Sequence, residues 1–297
     1  MNEMLLQNKF FTAVRVAEGV TRITGMAREN CYLVEGTKRA LLIDGLTGIS
    51  SLKAFVRELT ELPVTVALTH AHMDHSGIAW ESKQICLHPE DLVLLYPEDV
   101  EKSRQDRLGF VELFHKFGVP LRTTPVLDDI LLSRPVKVIP MLDGDRFDLG
   151  GLEIEVIHVP GHTRGSVVFL DRTHRCVYTG DACNSNTLLN LPASASVREY
   201  RDGLLHFKEF YEEFDVVYGG HDQEAQPKTI VNDGIALCER ILTGTDDAIP
   251  IQDAFTHGGT ALLAAERLEG GYQIKGGGLC NIVYRKETVE TSERPEL

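Results

Sequence analysis

The feature that most constrains this chain is the segment THAHMDHSG at residues 69–77, where four potential metal ligands fall within six residues directly after the apolar run VTVAL at 64–68. A run of this kind reads as a strand, and in extended backbone residues two apart point to the same side. His70 and His72 can therefore turn both imidazoles toward one ion. Asp74 and His75 are adjacent, and a turn starting there swings them toward a second ion a few ångströms away. By chance the pattern should arise on the order of once in a thousand chains of this composition. The bland alternative, a polar histidine-rich loop without metal, fits poorly with apolar strand residues running straight into it.

Three further residues follow strand-like runs: His162 in VPGHTRGS, Asp181 in VYTGDA and His221 in VVYGGHD. Each has a glycine before it (161, 180, 220), which lets a tight loop aim a side chain sharply inward. Singly, such a residue is more often a turn or cap. Together with the first four they complete a seven-residue set: His70, His72, Asp74, His75, His162, Asp181 and His221.

Strand-like segments cover 20–23, 30–35 and 40–43, a helix covers 51–62 and a strand 64–68. Residues 91–132, irregular and broken by prolines at 97, 120 and 125, read as an inserted helical flap. A second β-rich block follows through VKVIPML, LEIEVIHVP, SVVFLDR and RCVYTGD, so the two halves echo each other. Residues 184–214 form a second candidate wall for the site, aperiodic at first and helical over 197–214 before a strand at 215–218. Helices are expected at 229–242 and 261–268, a last strand at 279–284, and a frayed end in TVETSERPEL. Without repeats or low-complexity segments, residues 1–297 read as a single domain, any boundary near Met141 being internal.

The chain has 297 residues, is 43% hydrophobic and 25% charged, and contains no apolar run of the roughly 18 residues that span a bilayer. This implies a soluble protein with no membrane partner. The start lacks a cleavable secretory pattern, and six cysteines without paired spacing suit a reducing compartment, so the expected location is cytoplasmic. A net charge of −14 repels phosphate backbones and argues against a nucleic-acid partner. The expected partner is a small-molecule substrate, and the oligomeric state is left open.

The motifs resemble those of the metallo-β-lactamase superfamily, in an order similar to its glyoxalase II and lactonase branches, over residues 20–225. The resemblance implies an α/β (α+β) fold, the four-layer αββα sandwich, with metals in a cleft at one edge of the sheets. It implies that His70, His72 and His162 hold one metal, that Asp74, His75 and His221 hold the other, and that Asp181 bridges them. Imidazole and carboxylate donors without cysteine suit two divalent ions, with Zn²⁺ preferred and Fe²⁺ or Mn²⁺ compatible.

Two divalent ions lower the pKa of a shared water from far above neutrality to about 7, so the expected activity is metal-dependent hydrolysis. A bridging hydroxide would attack an ester-like carbonyl, in a lactone, thioester or amide, with Asp74 orienting the hydroxide or shuttling its proton. The alternatives are a phosphodiesterase, disfavoured by the acidic balance, and a di-iron redox protein of the same fold. The flavodiiron branch typically has Glu where His72 stands. Candidate substrate contacts are Asn184, where similar lactonases have tyrosine, Tyr200 as its replacement, and Arg164, where many relatives have proline. Of the remaining histidines, at 88, 115, 158, 174, 206 and 257, none has ligand-like spacing, and His158 is the one to watch.

Overall fold

The structure, a computed structural model, describes residues 3–252, 260–268, 274–275 and 277–291. Two compact units emerge: Met1–Met141 with Asp145–Glu155, and Leu142–Gly144 with Val156–Leu297.

In the first unit, strands β1 (Glu3–Gln7), β2 (Thr12–Ala17), β3 (Val20–Thr24), β4 (Asn30–Glu35) and β5 (Ala40–Ile43) form an antiparallel meander. Helix α1 (Leu52–Leu59) then crosses to β6 (Val64–Ala67), which pairs parallel to β5. Ser51 caps α1 by accepting from the Ala54 amide, and the helix buries Leu52, Phe55 and Val56 at helical spacing. Strand β7 (Gln84–Leu87) is followed by α2 (Leu92–Leu95), α3 (Val100–Lys116) and β8 (Lys137–Pro140), and the eight strands stand in chain order in one sheet. From β5 to β8 every pair is parallel. Parallel strands bring their carboxyl ends to one edge, so the loops after β5, β6 and β7 emerge side by side. A hairpin of β9 (Arg146–Asp148) with the start of β10 (Glu153–His158) completes this unit.

The second unit contains the end of β10, then β11 (Val167–Asp171), β12 (Cys176–Gly180), β13 (Asn186–Leu188), α4 (Val197–Lys208), β14 (Val216–Gly219), β15 (Gln226–Pro227) and α5 (Thr229–Thr243). Short strands β16 (Ile249–Ile251), β17 (Ala261–Leu263) and β18 (Asn281–Tyr284) follow. The order β15-β14-β12-β11-β10 defines one sheet and β13-β18-β17-β16 another. Tyr200, Leu204 and Phe207 of α4 share a core with Ile230, Val231 and Cys238 of α5 and with Val168, Val177 and Val217. Ser196 and Glu199 form a reciprocal capping box at the start of α4, the S-x-x-E pattern printed in the sequence.

The meander, α1, β6, α5 and the strands of the second β-rich block lie where their patterns place them. The helix expected at 261–268 is absent. Its residues are good helix formers, but Leu262 and Leu263 pair with Tyr284 and Val283 of β18, so sheet pairing overrides propensity. Helix α4 stops at Lys208, six residues early, and a 3₁₀ turn at Tyr211–Glu213 follows. Strands β1, β2, β7, β13 and β16 carry too little alternation to be read from pattern. Of the expected frayed end, residues 292–297 lie outside the described residues, as does His257, while Glu290 pairs with Arg198 at 2.5 Å. Among the described residues no helix is long and apolar enough to cross a membrane. All six cysteines are free, and all but the half-buried Cys86 are buried.

Candidate functional site

The ligand loop of the first unit leaves β6 at the parallel edge. Register Ile43↔Ala67 between β5 and β6 sets Asp44, the residue after β5, beside the start of the loop, and the Asp44 amide donates to the Ala67 carbonyl at 2.9 Å. Asp44, 2% exposed and at φ 67°, is a functional residue that the sequence reading missed. Its carboxylate accepts from the Thr69 amide at 2.7 Å, from the Thr69 hydroxyl at 2.9 Å, and from His75 Nδ1 at 2.9 Å. With its own proton given to Asp44, Thr69 Oγ is left as acceptor for His70 Nδ1, 3.0 Å away. Both histidines are thereby fixed in the Nδ1–H tautomer, which leaves each Nε2 lone pair to bind a metal.

A second carboxylate missed in the sequence, Asp91, is 1% exposed and accepts from the amide of Ala71, between His70 and His72. The only sequence signals for these two residues are the DG step after β5 and the acidic residue after HPE, neither of which singles out a ligand support. The rings of His70 and His72 meet edge to face at 4.9 Å, and each offers a nitrogen within 4.8 Å of the other. His75 Nε2 lies 3.7 Å from Asp74 Oδ2. This is near the roughly 3.4 Å that separates two ligands around one tetrahedral ion with bonds of about 2.1 Å.

In the second unit, β12 and β14 are parallel with Gly180 opposite Gly219, so the residues that follow them share an edge. There Asp181 Oδ2 lies 3.6 Å from His162 Nε2 and 3.5 Å from His221 Nε2, one carboxylate oxygen at ligand spacing from two imidazoles. His162 Nδ1 donates to the Leu188 carbonyl at 2.9 Å, again leaving Nε2 for a metal. Of the three glycines expected to need unusual backbone, only Gly180 has positive φ, at 49°. Gly161 is required for space: a Cβ there would sit 2.2 Å from the Tyr200 ring.

The three candidate substrate contacts are all engaged inside the second unit. Asn184 donates to Asp181 Oδ1 at 3.2 Å and so steadies that carboxylate. Tyr200 is 1% exposed, lies in the core of this unit and has its hydroxyl 3.3 Å from Thr187 Oγ. Arg164 is 7% exposed and paired to Glu199 at 3.0 Å, which positions the turn after His162. His158 Nε2 lies 2.8 Å from the Arg164 carbonyl in that same turn.

Burial also shapes charges around the first loop. Glu29, 2% exposed, has its carboxyl pushed up by desolvation, against hydrogen bonds from Thr47 and from the Ala27 amide. Desolvation brings Arg107 down to about 10, with Asp74 acting through space in the opposite sense. Arg107 therefore remains a cation at neutral pH.

The sequence profile of the metallo-beta-lactamase superfamily matches residues 25–221, a span that contains all seven candidate ligands and ends on His221. This chain belongs to the metallo-beta-lactamase superfamily. Superfamily relatives include the acyl-coenzyme A thioesterase MBLAC2 of Gallus gallus, 29% identical over 192 residues. That match covers 58% of this chain and 64% of the relative, just under two thirds of its length. The hydroxyacylglutathione hydrolase GloC of Haemophilus influenzae is 28% identical over 158 residues, covering 52% of this chain and 66% of that one. Among solved structures, a metallo-beta-lactamase from Erythrobacter litoralis superposes with a TM-score of 0.54 at 16% identity, covering 80% of this chain and all of that one. At this identity the likeness establishes the superfamily's α/β fold.

Proposed function

We propose that this chain is a dinuclear metal-dependent hydrolase that cleaves an ester-like carbonyl, with a thioester of a small acyl group as the substrate class. The observation that carries the reading is the fixed tautomer of His70, His75 and His162. Protein acceptors hold each Nδ1–H, so each Nε2 is presented to a metal. His70, His72 and His162 would hold one ion, Asp74, His75 and His221 the other, and Asp181 would bridge them. An all-nitrogen and oxygen donor set suits zinc.

When bound, two divalent ions activate a water and polarise the substrate carbonyl. The chain's own residues do the rest. Asp44 and Thr69 keep His75 and His70 oriented, and Asn184 holds one oxygen of Asp181 so that the other faces two imidazoles. Asp74, 9% exposed, can accept a proton at its carboxylate and pass it to the leaving group. Residues 91–132 and 184–214 would supply substrate contacts, with residues 1–297 working as a single domain. The names of the chicken and Haemophilus relatives, an acyl-coenzyme A thioesterase and a hydroxyacylglutathione hydrolase, support thioesters over lactones and amides.

Elemental analysis of purified protein, followed by assays on a panel of thioesters, lactones, esters and amides, tests the reading. We expect two equivalents of zinc and fastest turnover on thioesters. Protein replete with metal that hydrolyses no member of the panel would refute it.

A further inference from the structure

Helix α3 lies in the inserted segment after β7 and is mostly solvent-facing, yet it sends one cation inward. Arg107 is 2% exposed. Its Nη1 donates to the Thr47 carbonyl at 2.7 Å, and its guanidinium lies 5.4 Å from the centre of the Trp80 ring. Room for it is cut out of the backbone: a Cβ on Gly48 would stand 2.8 Å from Nη1. A guanidinium carries five N–H donors, and burying one away from water is costly unless acceptors, usually a carboxylate or phosphate, surround it. Here the buried Nε has no acceptor and no carboxylate of the described residues makes an ion pair with Arg107. The contrast with Arg164 is direct, since that buried guanidinium has Glu199 at 3.0 Å.

The surroundings place this cation beside the ligand loop. Trp80 lies in the 3₁₀ turn Gly77–Glu81 that continues the loop, and among the described residues the carboxylate that acts on Arg107 through space is Asp74, a candidate ligand. With Asp74 holding a metal, as the hydrolase reading has it, its charge would be committed there and the guanidinium would be left to recognise an anion from outside the chain.

We infer that Arg107 is a substrate-binding residue that selects substrates bearing an oxyanion, a carboxylate or phosphate, close to the scissile bond. This rests on the hydrolase reading above and names the substrate class of that same site. Nothing in the sequence pattern distinguishes Arg107 from its exposed helical neighbours.

Three thioesters test it on the metal-loaded enzyme: S-succinyl-N-acetylcysteamine, with the anion on the acyl side; S-butyryl-3-mercaptopropionate, with the anion on the thiol side; and S-butyryl-N-acetylcysteamine, which is neutral. The wild type should favour one anionic thioester over the neutral one by about 10- to 100-fold in kcat/KM, the worth of a charge-assisted hydrogen bond. Which one it favours assigns the side of the bond. In R107M that ratio should fall to near one, and in R107K to an intermediate value, because lysine keeps the charge without the planar fork. Should R107M fail to fold by circular dichroism, the ratio in R107K decides. A wild type without anionic preference, or variants that lose activity on all three by one common factor, would overturn the inference and leave Arg107 a structural tie. If none of the three turns over, the thioester part of the reading above fails separately. Calorimetry with succinate and inorganic phosphate then decides: heat with wild type and none with R107M upholds the site, and equal heats remove it.

Discussion

The two donor groups reach similar local geometry by different means. In the first unit four candidate ligands sit on one short loop, and buried carboxylates hold it: Asp44 grips Thr69 and His75, and Asp91 grips the Ala71 amide. In the second unit the ligands come from three separate strand ends, and neutral groups hold them. Leu188 offers a carbonyl to His162, Asn184 an amide to Asp181, and Ser194 Oγ donates to the His162 carbonyl at 2.9 Å. Contiguous ligands crowd several polar groups into one buried turn, and only charged acceptors satisfy so many donors at once. Scattered ligands are already placed by strand register, as Gly180↔Gly219 does for Asp181 and His221, so each needs only one light restraint.

The largest expected effect breaks both groups at their ligands. H75A in the loop and D181A at the strand ends should each lower kcat/KM by about 1000-fold or more. D181A should lose more metal by elemental analysis, because Asp181 Oδ2 is near two imidazoles and would bridge both ions, whereas His75 would serve one. A D181A protein that keeps its full metal content and activity would sink the ligand assignment.

A second contrast concerns the glycines that make room for each group. A Cβ on Gly77 would lie 2.1 Å from the Gly48 nitrogen, and one on Gly161 would lie 2.2 Å from the Tyr200 ring. The first obstacle is backbone and cannot turn aside; the second is a side chain. G77A should therefore cost about 3 kcal/mol or more in denaturant unfolding, and G161A somewhat less. In a double-mutant cycle with Tyr200→Leu, the cost of G161A should shrink, which direct backbone conflict at Gly161 would not allow.

Smaller again is the effect of loosening the supports. D44N removes the charge and places an amide donor against groups that are donors already, so metal affinity should fall about 10- to 100-fold. N184A removes the uncharged amide donor to Asp181 at 3.2 Å, together with the bond that Asn184 Oδ1 accepts from the Asn186 amide at 2.9 Å, and should cost less than about tenfold. Competition with a chromophoric chelator measures both. Equal losses would mean that the charged and neutral supports are interchangeable.

The same difference explains what could be read from sequence. The four loop ligands announce themselves because their spacing is local, and His162, Asp181 and His221 become readable through their strand-then-glycine settings. Asp44, Asp91 and Arg107 do not, since each acts on the loop from 20 or more positions away in sequence and no periodicity links a residue to a partner that only folding brings near. The failed helix at 261–268 has the same origin, because its strand state depends on β18, which lies about 20 residues further along. Tyr200 stands in sequence between the charged Glu199 and Arg201, and its burial against Gly161 is a tertiary fact.

The smallest effect isolates the charge on the loop side. Glu29 is buried beside Thr47, and desolvation raises its pKa above the ordinary 4.5. The folded state thus holds this proton more tightly than the unfolded one. Its contribution to stability is greatest below 4.5 and declines as pH rises through the window between 4.5 and the raised value. A glutamine side chain does not titrate and escapes that decline, so E29Q should gain stability over wild type at pH 8 and little or none near pH 4.5. Urea unfolding at the two pH values, with EDTA present so that metal binding does not enter, measures the difference. An advantage that is constant with pH would assign the effect to packing or hydrogen bonding. One that grows toward acid would reverse the sign argued from burial.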